Sequence, residues 1–381
     1  MTNFQGKWLT TFGPMDLSQS GDRVTGQYVC MGTPCGIQGR VAGQRLQFTY
    51  TEPTVRGEGW FELAENGRSF RGEWHAENDT IWRPWVGASA GFDGVWQTDF
   101  GRMRLVEEGE DGRVHGLYEL GEGSSIEGKR DGPRLTFTYR EPNVSGEGRF
   151  LLADDALSFQ GEWRPSGAGT WQPWHGVRVR PGPATWLVVL EVPWHAIGAD
   201  RDYSFGAMLR EFFSRSNHIQ VRQRFFTNED SLSRCLRELS LIPEPIVLLI
   251  ATHAQANGIH LGGKTIGADL FVDGLSLIPD LRLLHFSACL LMQDAEVFES
   301  WRTLSQEQGC PISGYASSVD WAASAILEFT YLELILSRGL PPGEAANQMH
   351  QLLTFAGDSG PGDAIFPAAR FRIVEGGSGR P

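Results

Sequence analysis

The feature that most restricts how this chain folds is an internal duplication of its first half. Gly6-Lys7-Trp8 recurs as Gly94-Val95-Trp96, and Phe12-Gly13-Pro14-Met15 as Phe100-Gly101-Arg102-Met103. Leu46-Gln47-Phe48-Thr49-Tyr50 recurs as Leu135-Thr136-Phe137-Thr138-Tyr139, each followed one residue later by Glu-Pro. Gly57-Glu58-Gly59 returns as Gly146-Glu147-Gly148, Gly72-Glu73-Trp74 as Gly161-Glu162-Trp163, and Trp82 with Trp85 as Trp171 with Trp174. Matches in this order and at a nearly constant offset mean one structural unit built twice.

Within each copy, short alternating runs such as Val24–Tyr28, Leu46–Tyr50 and Trp60–Leu63 are broken by Gly, Asp and Asn. Period-two alternation with frequent turn residues predicts several antiparallel strands per copy and no helix. Two small β-barrel or curled-sheet modules in tandem are expected, over residues 1–88 and 89–178. The Gly-x-Trp opening is similar to that of lipocalin- and avidin-like barrels. Nine of the thirteen tryptophans lie in this half. They suit either an aromatic binding surface or the core and corners of the barrels, and the second use is the expected one. Glu58, Glu73, Glu147 and Glu162 stand beside glycines in both copies and read as solvated strand-end charges rather than paired catalytic carboxylates.

Val177–Pro183 reads as a linker, and beyond it the texture changes. Trp186–Val192 is a near-continuous apolar run, as in a strand buried on both faces. Helical spacing over Gly206–Arg215, a strand-like His218–Phe226, an amphipathic Asn228–Leu241 (Leu232, Cys235, Leu236 and Leu239 inward) and two more apolar strands, Ile246–Ala251 and Leu281–Ala288, follow in turn. Strands alternating with helices predict a mostly parallel sheet covered on both faces over residues 179–381.

Open α/β sheets carry their chemistry at the carboxyl ends of strands. His253 and Cys289 each stand at such an end. If their strands are neighbours, imidazole and thiol share one sheet edge. A thiolate is the effective nucleophile, and a nearby imidazole is what activates it near neutral pH. The five cysteines are scattered, odd in number and without a CxxC pair, so reduced thiols and no bound metal are expected.

The order strand–His253, hairpin and helix, strand–Ser287-Ala288-Cys289, Gly309–Tyr315, a helix opened by Ser317-Ser318-Val319-Asp320, a Gly-Glu-Ala-Ala helix start after Gly339, and a closing strand over Phe366–Val374 resembles the caspase-like cysteine peptidases of clan CD, and among them the bacterial CHAT peptidases. The resemblance covers Ala184–Gly377. It implies a caspase-like α/β fold, Cys289 as the nucleophile, His253 as the group that protonates the leaving amine, and the backbone N–H groups of Cys289 and Ala254 as oxyanion hole. The family usually has Gly where Ala254 stands, which puts activity rather than fold in question. Ser287 stands where relatives that cut after Lys or Arg often have Asp, so no substrate residue is named. There is no long cleavable insert after Cys289. Binding of a regulator to the β-repeats is therefore the expected switch, rather than maturation by cleavage.

Other features have plainer readings. His285 lies roughly 13 Å from Cys289 along the strand at about 3.3 Å per residue, and reads as a buried structural histidine. His260, on a hairpin, is the rival base. Cys235 and Cys310 fit packed positions, Cys30 and Cys35 have no counterparts in the second repeat, and Asp320 reads as a helix N-cap.

The expected function is a cysteine endopeptidase with no cofactor. It cuts a partner protein, such as a gasdermin-like effector or another neighbour-encoded protein, in a bacterial defence or regulated-death setting. A net charge of −13 without a basic stripe argues against nucleic acid. The start lacks an apolar leader core and no apolar run spans a bilayer, so a cytoplasmic protein with no membrane partner is expected. Rival readings are a catalytically inactive scaffold of the same fold and a P-loop NTPase. The NTPase rests on Gly258–Thr265, which fits the Walker A pattern. That motif needs a strand directly before its first Gly and a helix starting at Lys-Thr; here Gly262-Gly263 looks like a hairpin turn instead. Calorimetry with ATP and GTP in the presence of magnesium should therefore register no binding; micromolar binding lost in Lys264→Ala would overturn the hairpin reading.

Overall fold

The computed structural model describes residues 2–30, 32–63, 69–89, 91–108, 111–120, 123–153, 155–194, 203–319, 321–353 and 370–375. The chain divides into two compact units at Arg178/Val179.

The first repeat forms β1 (Gly6–Thr10), β2 (Gly13–Ser20), β3 (Arg23–Cys30), β4 (Thr33–Ala42), β5 (Arg45–Thr51), β6 (Arg56–Leu63), β7 (Ser69–Ala76), β8 (Arg83–Pro84) and β9 (Gly87–Ser89). The second forms β10 (Gly94–Thr98), β11 (Gly101–Glu108), β12 (Arg113–Tyr118), β13 (Ser125–Asp131), β14 (Arg134–Arg140), β15 (Ser145–Leu152), β16 (Ser158–Pro165) and β17 (Gln172–Arg178). β10 to β17 pair in sequence, and β17 returns to β10 to close a barrel. The first repeat makes the same ring: β6 pairs with β7, β7 with β9, and β9 with β1, while β8 rides on β7. Closure leaves no unpaired edge among the ring strands.

Alternation decides which side chains fill the barrels. In β5, Leu46, Phe48 and Tyr50 are buried and their neighbours exposed; in β14, Leu135, Phe137 and Tyr139 repeat the pattern. Trp85 and Trp174 occupy equivalent central positions. Trp85 meets Phe12, Tyr28, Phe48, Tyr50 and Phe61 edge to face at 5.0–6.3 Å, and Trp174 meets Phe100, Tyr118, Phe137 and Phe150 at 4.9–5.9 Å. The repeated Gly-Glu-Gly motif makes room for these rings: a Cβ on Gly59 or Gly148 would strike Phe48 or Phe137. Trp8, Trp85, Trp96 and Trp174 are thus core residues, as the core-and-corner use requires. Trp82 is exposed, while Arg149 and Arg164 stack over Trp171.

Two expectations need correction here. Glu58, Glu147 and Glu162 are solvated, as expected, but do not stand at strand ends. They are outward residues within strands, ion-paired across the ladder with His75, Arg164 and Arg149, and Glu73 lies mid-strand opposite Trp60. Val177 and Arg178 belong to the barrel rather than to the linker. Both pair with β10, and the Arg178 guanidinium donates to the carbonyls of Gly91, Asp93 and Ala156 while covering the Trp96 ring.

The second unit carries β18 (Thr185–Glu191), α1 (Phe205–Phe212), β19 (Ile219–Phe225), α2 (Glu229–Ser240), β20 (Ile246–Ala251), β21 (Ala254–Gln255), β22 (Gly258–Leu261), β23 (Lys264–Ile266), α3 (Asp269–Ser276), β24 (Leu281–Ser287), α4 (Ala295–Gln308), β25 (Ile312–Tyr315), α5 (Trp321–Leu336), α6 (Pro342–Leu352) and β26 (Phe371–Val374). Its sheet runs β19-β18-β20-β24-β25-β26. All neighbours are parallel except β26, which runs antiparallel to β25. Val188, Leu190, Leu248, Ile250, Leu284 and Phe286 face α2, α3 and α4. Leu187, Val189, Val247, Leu249 and Leu283 face α1, α5 and α6. Burial on both faces explains the unbroken apolar runs read from the sequence.

Helix α2 buries Leu232, Cys235, Leu236 and Leu239 and is capped by Asn228, as its spacing predicts. Helix α1 buries Phe205, Gly206 and Leu209 and leaves Phe212 49% exposed. The expected N-cap Asp320 and the stretch 366–369 of the closing strand lie outside the described residues. No helix among the described residues is long and apolar enough to cross a membrane.

Residues 1–178 should fold alone, giving a cooperative melt and a β-type circular dichroism spectrum. Within that fragment Trp174→Ala should lower stability by about 3–5 kcal/mol, the usual loss for truncating a large core aromatic, as read from the shift in denaturant midpoint.

Candidate active site

Parallel strands β20 and β24 pair with Ala251 opposite Ser287, and the Thr252 N–H donates to the Ser287 carbonyl at 3.2 Å. His253 and Cys289 each stand two residues further on. The register therefore brings them to the same edge, just past the carboxyl ends of two adjacent strands. Val247, Leu249 and Ala251 alternate onto the face that meets α1, α5 and α6, as does Leu283.

His253 is exposed, and its ring packs edge to face on Trp194 at a centroid distance of 4.9 Å. The Cys289 thiol is partly exposed and lies 3.7 Å from the Val319 carbonyl. Among the described residues no hydrogen bond joins imidazole to thiol. Catalytic hydrogen bonds are often long before substrate binds; the sheet itself sets the two residues just past neighbouring strand ends.

Beyond Cys289 the chain turns sharply. Leu290 has φ 62°, a left-handed conformation that costs a non-glycine residue about 1–2 kcal/mol. It persists because the Leu290 N–H donates to the Ser317 carbonyl (3.0 Å) and the Met292 N–H to the Tyr315 carbonyl (2.9 Å). Strain of this kind gathers at functional sites.

Beyond His253, strands β21, β22 and β23 form a small antiparallel sheet. The His260 N–H donates to the His253 carbonyl at 2.9 Å, which makes Ala254–Ile259 the non-hydrogen-bonded pair of that ladder. The Ala254 N–H consequently points away from β22, on the outer side of the hairpin. Gly262 and Gly263, both at positive φ, make the β22–β23 turn, and Lys264 pairs with Glu229 at 3.2 Å. Gly258–Thr265 is thus a hairpin, without the strand–loop–helix frame of a P-loop. Ile259 and Leu261 turn into the core and His260, between them, faces the other way.

His285 is fully buried, as expected of a structural histidine. Its Nδ1 is 2.8 Å from Ser313 Oγ, and its Nε2 is 3.2 Å from Glu328 Oε1, out of line for a hydrogen bond. Tyr315 donates to the same carboxylate oxygen at 3.0 Å, and burial, with Glu328 second, holds its hydroxyl protonated.

Sequence reasoning passed over two residues at this edge. Glu191 ends the apolar strand β18 with its carboxylate fully buried, and Trp194 follows it. A charged residue closing such a strand is the signal that would have drawn attention to it.

Cys35, Cys235 and Cys310 are buried, and only Cys30 and Cys289 are partly exposed. Burial raises the Cys235 thiol pKa, and burial followed by Glu52 raises that of Cys30. Iodoacetamide at limiting dose should therefore modify Cys289 first, on the order of tenfold ahead of any other thiol, as mapped by mass spectrometry.

No family model and no curated protein matches the chain. Among solved structures the matches include two forms of transferrin-binding protein B, a vaccine antigen from Haemophilus parasuis Hp5. One is a double mutant, with 12% identity and TM-score 0.17 over 45% of this chain and 44% of that one. The other is a single mutant, with 13% identity and TM-score 0.16 over 45% and 43%. A likeness of that size decides neither fold nor activity.

Proposed function

We propose that the second unit is a caspase-like cysteine endopeptidase, similar to the bacterial CHAT peptidases, acting through Cys289 and His253. The observation that supports this reading is the β20–β24 register: the two residues the chemistry needs each follow by two positions the last pair, Ala251–Ser287, of neighbouring parallel strands. The Cys289 thiolate attacks the scissile carbonyl carbon. The N–H groups of Ala254 and Cys289 hold the oxyanion, and the His253 imidazolium protonates the departing amine. Water then hydrolyses the thioester. No cofactor takes part. Ala254 keeps its N–H for the oxyanion, and its Cβ turns into the core rather than toward substrate.

The tandem barrels recognise the substrate or a regulator. The substrate is a partner protein, such as a gasdermin-like effector encoded nearby, and the setting is the bacterial cytoplasm. An inactive scaffold is the second reading, favoured by one contact: the thiol approaches the Val319 carbonyl rather than the imidazole.

Incubation with the proteins encoded beside its gene separates the two readings. A peptidase cuts one of them, loses all cleavage in Cys289→Ala, and keeps or gains rate in Ala254→Gly. Its Cys289 alkylation slows in His253→Ala and is unchanged in His285→Ala variants that remain folded. Alkylation lost in His260→Ala instead would keep the peptidase and replace its base; alkylation no faster than that of the other thiols would leave the scaffold.

A further inference from the structure

A Cys–His pair needs its imidazole held in one orientation, and in many hydrolases a third side chain does this by hydrogen bonding. Among the described residues no hydrogen bond reaches the ring of His253. What touches it is the Trp194 indole, in an edge-to-face contact at 4.9 Å and 80°.

Trp194 is itself fixed from two sides. Its Nε1 donates to Glu191 Oε2 at 3.3 Å, and its ring meets Trp321, at the start of α5, at 6.4 Å. Glu191 is anchored more firmly still. Its carboxylate, without exposure to solvent, also accepts from Ser204 Oγ (2.6 Å), Gln223 Nε2 (2.5 Å), and the Phe205 and Gly206 N–H groups (2.8 and 3.3 Å). Five donors, two of them backbone N–H groups at the N-terminus of α1, satisfy a buried carboxylate that no basic side chain pairs with in this network. Such an arrangement is rigid, because losing any one donor leaves a buried charge less solvated.

The strand order places these residues with purpose. The chain leaves β18 toward β19 on one side and returns to β20 on the other, so the carboxyl ends of β18 and β20 flank the point where the winding reverses. Glu191 is the last residue of β18, Trp194 follows it, and His253 follows β20.

We propose that Glu191 and Trp194 are positioning residues for His253: the buried carboxylate fixes the indole, and the indole fixes the plane of the imidazole beside Cys289. This role rests on the Cys289–His253 reading above. Neither residue touches substrate. A ring contact, unlike a hydrogen bond to a third residue, does not use up an imidazole nitrogen as donor or acceptor.

The test uses the full chain and reads the rate of Cys289 modification by iodoacetamide across the neutral pH range. It compares wild type, His253→Ala, Trp194→Leu, Trp194→Phe and the Trp194→Leu/His253→Ala double variant, each checked for a cooperative melt. Trp194→Leu should slow labelling on the order of tenfold, toward the His253→Ala value, while Trp194→Phe, which keeps a ring, retains most of the rate. The double variant should be no slower than His253→Ala alone, because both changes act through the imidazole. A folded Trp194→Leu chain labelled at the wild-type rate, with His253→Ala slow, would overturn the positioning role and leave the dyad standing. A His253→Ala chain labelled at the wild-type rate would sink both. A double variant slower than His253→Ala would mean that Trp194 acts on the thiol directly, against the proposal. A second measurement needs no stable variant at position 194: in isotope-labelled wild-type protein the His253 ring protons should carry an indole ring-current shift. Resonances at the exposed-histidine position would refute the contact on which the proposal stands.

Discussion

The pairing of β20 with β24 is the constraint from which the candidate site follows. Both strands are covered on both faces, so neither can slide. A slip of one residue would exchange Leu284 and Phe286, which face α3 and α4, with His285, whose Nδ1 meets Ser313 on the opposite face. That register, held by packing far from the sheet edge, also puts His253 and Cys289 each two residues past the same last strand pair. The strained turn at Leu290 then directs the chain away immediately after the thiol, tied down by the Ser317 and Tyr315 carbonyls.

In the barrels closure is the governing constraint, and the duplication shows which interactions it demands. Trp8 donates to the Phe4 carbonyl and Trp96 to the Phe92 carbonyl, each at 2.8 Å. Tyr28 donates to Glu52 and Tyr118 to Glu141, at 2.8 and 2.7 Å. Elsewhere the copies reach one end by different chemistry. The Phe4 N–H donates to the side-chain oxygen of Gln19, and the Phe92 N–H to the carboxylate of Glu107, which has Arg130 3.6 Å away. Orientation of the backbone donor is kept, while the charge of its acceptor is free to change once a cation is close by. Cys35 is part of the first barrel's core, so its absence from the second copy is a packing variation.

Buried polar groups divide the second unit into two sites of different character. Glu191 is saturated by donors and lies beside the aromatic wall of His253. Glu328 accepts from Tyr315 through one oxygen, with His285 near it and its other oxygen without a partner among the described residues. Both lie on the α1–α5–α6 side of the sheet. The buried carboxylates of this domain thus share one face of the sheet, while the buried polar groups of the other face are the neutral Ser240, Ser305 and Gln308.

Much of this was legible in the sequence because it is written in local patterns. The duplication, the alternation of Leu46–Tyr50, the apolar runs of β18, β20 and β24, the i, i+3, i+4 stripe of α2 and the glycine turn at Gly262-Gly263 all report on near neighbours along the chain. So does the place of His253 and Cys289 at strand ends. What the sequence left open depends on residues distant in the chain. Barrel closure joins Trp96 to Arg178, and only that pairing removes Val177 and Arg178 from the linker. The ion pairs of Glu147 with Arg164 and of Glu162 with Arg149 need the strand register before they can be seen. The neighbouring of β20 and β24 across an intervening hairpin and helix, and the convergence of Ser204, Gln223 and Trp194 on Glu191, were decided by tertiary packing alone. A parallel sheet gives sequence neighbours no direct contact, so its side-chain constellations form only when the helices cover both faces.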